Sequence, residues 1–182
     1  DWRAMSNATR EPIGWTRILL NKVPEVTLAF WVIKVMSASE MYEACNLEFE
    51  TSDIAVMAAA VADYRPAQIA PEKVKKKEDE WSLAMVKNVD IASALGAKKR
   101  GNQLLIGFAL ETEDEVRHAE IKLTKKKMDM IVLNSLNDAG AGFGTDTNKI
   151  TLIWPGNKMK EFGLKPKSKV AEDIVKEICQ LF

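Results

Sequence analysis

Three polar side chains stand at the end of an apolar run: Asp63, Tyr64 and Arg65 follow the stretch Ile54–Ala62. The apolar residues run on without alternation, which predicts a strand of a parallel sheet covered on both faces. Polar groups at the carboxyl end of such a strand lie where open α/β sheets bind ligands. Ala58, Ala59 and Ala60 leave room for a flat group close to the backbone. Glu72-Lys73-Val74-Lys75-Lys76-Lys77 then places a dense positive cluster on a loop. An acid, a small-residue platform and lysines in this order suit a polyanion such as a nucleoside triphosphate. Lys122 and Lys126 are four apart and would project from one helix face as a second pair of phosphate-gripping cations. Taken singly, each lysine cluster, Lys73–Lys77 or Lys122–Lys127, reads more readily as a solvated face.

Other chemistries find little support. There is no GxGxxG and no Walker lysine motif. The single histidine, His118, falls in the middle of a predicted helix, where a solvated or core-edge role is expected, so Ser/His/Asp hydrolysis and zinc chemistry are disfavoured. Cys45 and Cys179 match no metal or redox spacing, and Cys45 falls on an apolar helix side as a reduced thiol. Cations and backbone donors remain, which fits phosphoryl or nucleotidyl chemistry, where positioning and charge stabilisation do most of the catalysis. No metal site can be assigned from spacing.

The 182 residues suit one domain with a proper core. Lysine plus arginine equals aspartate plus glutamate, 26 of each, which argues against bulk nucleic-acid binding. The longest apolar stretch, Val26–Ile33, is too short to cross a bilayer, and no signal peptide is visible, so no membrane role and a cytoplasmic location are expected. The chain begins at Asp1 rather than at methionine, which reads as a fragment.

The elements that must position these residues alternate. Strands are predicted over Val26–Ile33, Asp53–Ala59, Leu104–Ala109, Met130–Leu133 and Lys149–Trp154, the last with the alternation of an edge or half-exposed strand. Ser37-Ala38-Ser39-Glu40 and Thr112-Glu113-Asp114-Glu115 read as capping boxes, the first ahead of Met41, Ala44 and Cys45, the second ahead of Val116, Ala119 and Leu123. Asp90 is placed to cap a helix over Ile91–Lys99 that Gly101 ends, and Val170–Leu181 is a closing helix with Val170, Ile174 and Ile178 on one stripe. This alternation predicts an α/β fold built of βαβ units. Residues 64–88 interrupt it as a flap, with Trp81–Val86 as one arm of a hairpin. Ala139–Asn148, rich in Gly, Asp and Thr, reads as a surface loop.

Ala58-Ala59-Ala60-Val61-Ala62-Asp63-Tyr64-Arg65-Pro66 followed by Glu72-Lys73-Val74-Lys75-Lys76 resembles the signature of phosphopantothenoylcysteine synthetase, the second activity of the bifunctional bacterial coenzyme A biosynthesis flavoprotein. Further runs follow in the family's order. Asn88-Val89-Asp90-Ile91 is similar to its Asn-Pro-Asp-Ile, with valine for proline. Gly107-Phe108-Ala109-Leu110-Glu111-Thr112 is similar to its Gly-Phe-Ala-Ala-Glu-Thr. Lys126-Lys127-Met128-Asp129 through Asn134, and Gly142-Phe143-Gly144-Thr145-Asp146 through Ile153, complete a similarity that is continuous from about Val35. The resemblance implies a Rossmann-like three-layer sandwich with a mostly parallel sheet, a single domain over 1–182, and a flap used in a homodimer. It implies joining of 4′-phosphopantothenate to cysteine, with CTP and Mg²⁺, through an acyl-cytidylate. At matching positions it implies that Lys73 closes over that intermediate. Asp63, Ala59 and the turn Asn88, Val89, Asp90, Ile91 would hold the nucleotide, with Phe108, Lys122 and Lys126 completing the CTP site.

The N-terminal part, residues 1–34, departs from the family. Thr9-Arg10-Glu11-Pro12-Ile13 matches, and Arg17 and Asn21 keep the register of an arginine and an asparagine that serve the phosphopantothenoyl intermediate and its attack by cysteine. The Ser-Ser-Gly-Lys-Met-Gly loop and the helix after it are absent. Either that segment is deleted, or the sequence joins stretches that flank it; the second is favoured, because losing a crossover helix would uncover one sheet face. Alternatives are an ATP-using synthetase of the same fold and a non-catalytic nucleotide-binding or dimerisation module. A flavin-binding decarboxylase, with FMN, would lie upstream of Asp1 if the whole protein is bifunctional.

Overall fold

The computed structural model describes residues 13–18, 30–68, 72, 82–135, 137 and 144–181. The described residues fall into two compact units, one within Asp1–Glu48 and Ala60–Asp90, the other within Phe49–Ala59 and Ile91–Phe182.

In the first unit β1 (Ile13–Ile18) pairs antiparallel with β2 (Phe30–Val35), Ile13 opposite Val35, as a two-stranded sheet. The strand expected over Val26–Ile33 overlaps β2 at Phe30–Ile33, and residues 26–29 lie outside the described residues. Helix α1 (Ala38–Glu48) follows and packs on β2. Its start is the capping arrangement that the sequence predicts: Ser37 Oγ accepts from Glu40 N–H at 3.2 Å. The return bond to the Glu40 carboxylate comes from Met36 N–H, at 2.8 Å, one residue before the expected donor. Met41 is buried, and Cys45, half-buried and free, has its thiol pKa pushed up by burial. Strands β4 (Tyr64–Pro66) and β5 (Met85–Lys87) pair antiparallel and form the base of the expected hairpin. Trp81, in its predicted arm, lies outside the described residues.

The second unit holds a five-stranded sheet in the order β3-β6-β7-β8-β9. Its strands are β3 (Ile54–Met57), β6 (Leu104–Glu111), β7 (Met130–Ser135), β8 (Thr147–Trp154) and β9 (Lys158–Pro166). The pairs β3/β6 and β6/β7 are parallel, joined through α2 (Ile91–Lys98) and α3 (Glu115–Lys125). The pairs β7/β8 and β8/β9 are antiparallel, which makes the sheet mixed. Helix α4 (Lys167–Leu181) lies on one face, where Val170, Ile174 and Ile178 meet Ile106, Val132, Leu152 and Trp154. Each such aliphatic side chain taken from water contributes roughly 1.5–3 kcal/mol. The residues between these in the strands, Leu105, Ile131 and Ile153, are equally buried on the opposite face. There α2 comes within 3.4 Å of Leu105 when a Cβ is built on Gly96. Helices on both faces make three layers, the α/β class expected.

Four expectations are corrected. β3 is an edge strand among the described residues, and Val56 is 42% exposed, so it is not covered on both faces. β8 is not an edge: the unpredicted β9 pairs along it, and Ile150, Leu152, Ile153 and Trp154 are buried. The lysine-rich run Lys158–Pro166 carries too few apolar residues to announce a strand, and its edge position explains why it needs few. The Thr112 capping box does not form. Helix α3 begins at Glu115 after Asp114, which has a left-handed φ of 44° and makes no side-chain cap bond. The Glu115 carboxylate instead accepts from Ser135 Oγ at 2.5 Å and from Asn137 Nδ2 at 3.0 Å. Val116, expected on the apolar face, is exposed, whereas Ala119 and Leu123 are buried as expected.

Candidate functional site

The carboxyl ends of β3 and β6 are built from local constraints. Buried Gln103 donates through Nε2 to the carbonyls of Phe49 at 2.6 Å and Ser52 at 2.7 Å, fixing the chain that enters β3. Asp53 O accepts from Leu104 N–H at 2.8 Å and starts the β3/β6 register. β3 ends at Met57, and Ala58 and Ala59 follow as exposed residues at its carboxyl end. β6 runs to Glu111, and Gly107 within it lets Met128 pack closely: a Cβ there would lie 2.5 Å from Met128 Sδ, the flexible end of that side chain, which would have to move. Phe108 is half-buried and packs against the α4-side core. Strand alternation puts Glu111 on the other face.

Glu111 gathers two groups from α3. Its Oε1 is in contact with Lys122 Nζ, and its Oε2 is 3.7 Å from His118 Nδ1. The Glu111 side chain is only 13% exposed, whereas that of Lys122 is 45% exposed. Lys126 does not share the helix body with Lys122. It is the C-cap, with φ −96° and ψ 5°, and its N–H donates to Lys122 O at 3.0 Å. The Lys126 backbone lies close against α2: a Cβ on Gly96 would sit 1.9 Å from the Lys126 carbonyl oxygen. Downstream, Asp129 accepts Lys99 Nζ on both carboxylate oxygens at 2.6 Å and Leu105 N–H on Oδ2 at 2.6 Å, tying the start of β7 to β6.

In the first unit the polar cluster after Ala60 is organised by Asn88. Its N–H donates to Asp63 O at 2.7 Å and its Nδ2 to Ala62 O at 2.7 Å. Its Oδ1 accepts from Arg65 at 2.9 Å, and Arg65 also donates to Lys87 O at 3.2 Å. Asn88 is 9% exposed, so these bonds replace water that it has lost. Among the expected nucleotide residues, Asp63 and Asn88 thus meet, and Val89 and Asp90 follow them along the chain as exposed residues. Ile91 opens α2 and is buried. Arg17 lies on β1, where only the backbone is described, and Asn21 and Lys73 lie outside the described residues.

Residues 14–182 match the DNA/pantothenate metabolism flavoprotein C-terminal domain family. The chain belongs to this family. A member called coenzyme A biosynthesis bifunctional protein CoaBC, from Vibrio vulnificus (strain YJ016), is 42% identical over 151 residues, which are 82% of this chain and 37% of that protein. A protein called cysteine/cysteine sulfinic acid decarboxylase, from an unknown prokaryotic organism, is 50% identical over 150 residues, 82% of this chain and 42% of that protein. The crystal structure of the C-terminal domain of CoaBC is similar with a TM-score of 0.65 at 38% identity, covering 82% of this chain and 66% of that one. The family chain described here therefore spans less than half the length of these two relatives. Sequence reasoning singled out Arg65 at the end of the apolar run but not its bond to Asn88, and it gave Glu111 no role. Glu111 stood inside a quoted motif, and the usable signal was a carboxylate closing a strand ahead of a helix that carries His118 and Lys122 four apart.

Proposed function

We propose that this chain is the ligase part of a coenzyme A biosynthesis protein, joining 4′-phosphopantothenate to cysteine to give 4′-phosphopantothenoylcysteine. The observation that carries this reading is the 42% identity, over 151 residues, to a protein named for that biosynthesis. In the proposed reaction the substrate carboxylate attacks the α-phosphorus of CTP and pyrophosphate leaves. The cysteine amine then attacks the acyl-cytidylate, loses a proton and releases CMP. Ala59, Asp63 and the turn Asn88–Ile91 hold the nucleotide, with Phe108, Lys122 and Lys126. Lys73 stabilises charge at the acyl-cytidylate, and Arg17 and Asn21 serve the phosphopantothenoyl group. The Lys122 ammonium supports this, since it stands half-exposed on the helix that follows β6. Among the described residues no group of three or more His, Cys, Asp or Glu side chains could hold a metal ion. Mg²⁺ is assigned to the triphosphate, whose oxygens suit a cation that keeps few protein ligands. The active unit is a cytoplasmic homodimer, and in the whole protein an FMN-binding decarboxylase precedes the chain.

The 50% identity to a cysteine/cysteine sulfinic acid decarboxylase favours a second reading, in which the chain is the C-terminal part of a protein that decarboxylates cysteine or its sulfinic acid. One experiment separates them. Full-length protein is given Mg²⁺, 4′-phosphopantothenate and cysteine, with CTP or ATP. Pyrophosphate release that needs phosphopantothenate and CTP is the expected result; release with ATP alone moves the nucleotide assignment. No pyrophosphate, with carbon dioxide released from cysteine or cysteine sulfinic acid alone, would establish the second reading.

A further inference from the structure

We infer that Glu111 is a positioning residue for the nucleotide: it holds the Lys122 ammonium at the carboxyl end of β6. This rests on the proposed contact between Lys122 and CTP. A free lysine side chain has four flexible carbons and loses rotamer freedom when it grips a phosphate. Here the ammonium is already tethered. Glu111 closes β6, opposite Ser135 of β7, and its carboxylate is largely withdrawn from water, so its position is set by the sheet. Oε1 takes one N–H of Lys122, and a lysine has three, which leaves two for phosphate oxygens on the exposed side. His118 Nδ1, one turn earlier on α3 and 3.7 Å from Oε2, faces the second carboxylate oxygen. Glu111 therefore binds Lys122 through Oε1 and keeps it between its own negative charge and an incoming triphosphate.

The test uses Glu111→Gln, Glu111→Ala, Lys122→Ala and the double variant Glu111→Ala/Lys122→Ala in the full-length protein. CTP affinity is measured by calorimetry, and KM and kcat by pyrophosphate release. Lys122→Ala is expected to weaken CTP binding. Glu111→Ala should raise KM for CTP by roughly tenfold, the middle of the range for directly contacting pairs, with kcat little changed. Glu111→Gln should show a smaller effect of the same kind, and it retains the side-chain volume if the alanine variant folds poorly. The double variant should bind CTP no more weakly than Lys122→Ala alone, because the carboxylate acts through that lysine. Unaltered CTP affinity in both Glu111 variants, beside a weakened Lys122→Ala, would overturn the role of Glu111 alone. So would losses that simply add in the double variant. Unaltered affinity in Lys122→Ala would instead overturn the nucleotide contact on which the inference stands.

Discussion

Gly96 shows how one absent methyl group places a candidate phosphate ligand. An alanine Cβ there would fall 1.9 Å from Lys126 O and 2.9 Å from Lys126 C, both backbone atoms that no rotamer change can move aside. Alanine would gain about 1 kcal/mol of helix propensity. The forced backbone shift costs about 1–3 kcal/mol or more, so the clash should win. Gly96→Ala is therefore expected to lower the urea midpoint and, by displacing the Lys126 turn, to weaken CTP binding. Equal or greater stability would show that α2 does not approach Lys126 this closely. Glycine at 96 is visible in the sequence, but nothing in a helical window says that the space beside it is filled by a chain segment 30 residues on.

Elements answer to a different logic, because their boundaries depend on partners. The apolar spacing in α4 was sufficient to identify the buried stripe of Val170, Ile174 and Ile178. The Thr112 capping pattern failed because Glu115 has better-placed donors in Ser135 and Asn137, residues remote in sequence. The base of the β4/β5 pair is similarly non-local: Asn88 is bonded to Ala62, Asp63 and Arg65 across more than 20 positions. Asn88→Ala removes the side-chain bonds and leaves their partners short of a mate, at a cost of about 1–3 kcal/mol. The expected consequence is faster amide exchange and faster proteolysis at Tyr64–Pro66 and Met85–Lys87, with the exchange of β6 and β7 unaltered. Unchanged protection at β4 and β5 would mean that the strand pairing holds without Asn88.

At the scale of the molecule, the flap between β4 and β5 is proposed to dimerise the protein. Deleting residues 67–84 should convert a dimer to a monomer in sedimentation experiments, and a dimer that survives the deletion would place the interface elsewhere. Family, fold class and the alternation of strands with helices were legible from sequence, because hydrophobic period and motif order are local properties of the chain. So was the presence of Lys122 on the helix that follows β6. The edge position of β3, the pairing of β9 onto β8, the apposition of Gly96 to Lys126 and the grip of Glu111 on Lys122 were decided only by tertiary structure. Each is a contact between segments distant along the chain. No window of sequence contains both halves of such a contact, and its energy exists only once the sheet has set the register that brings them together.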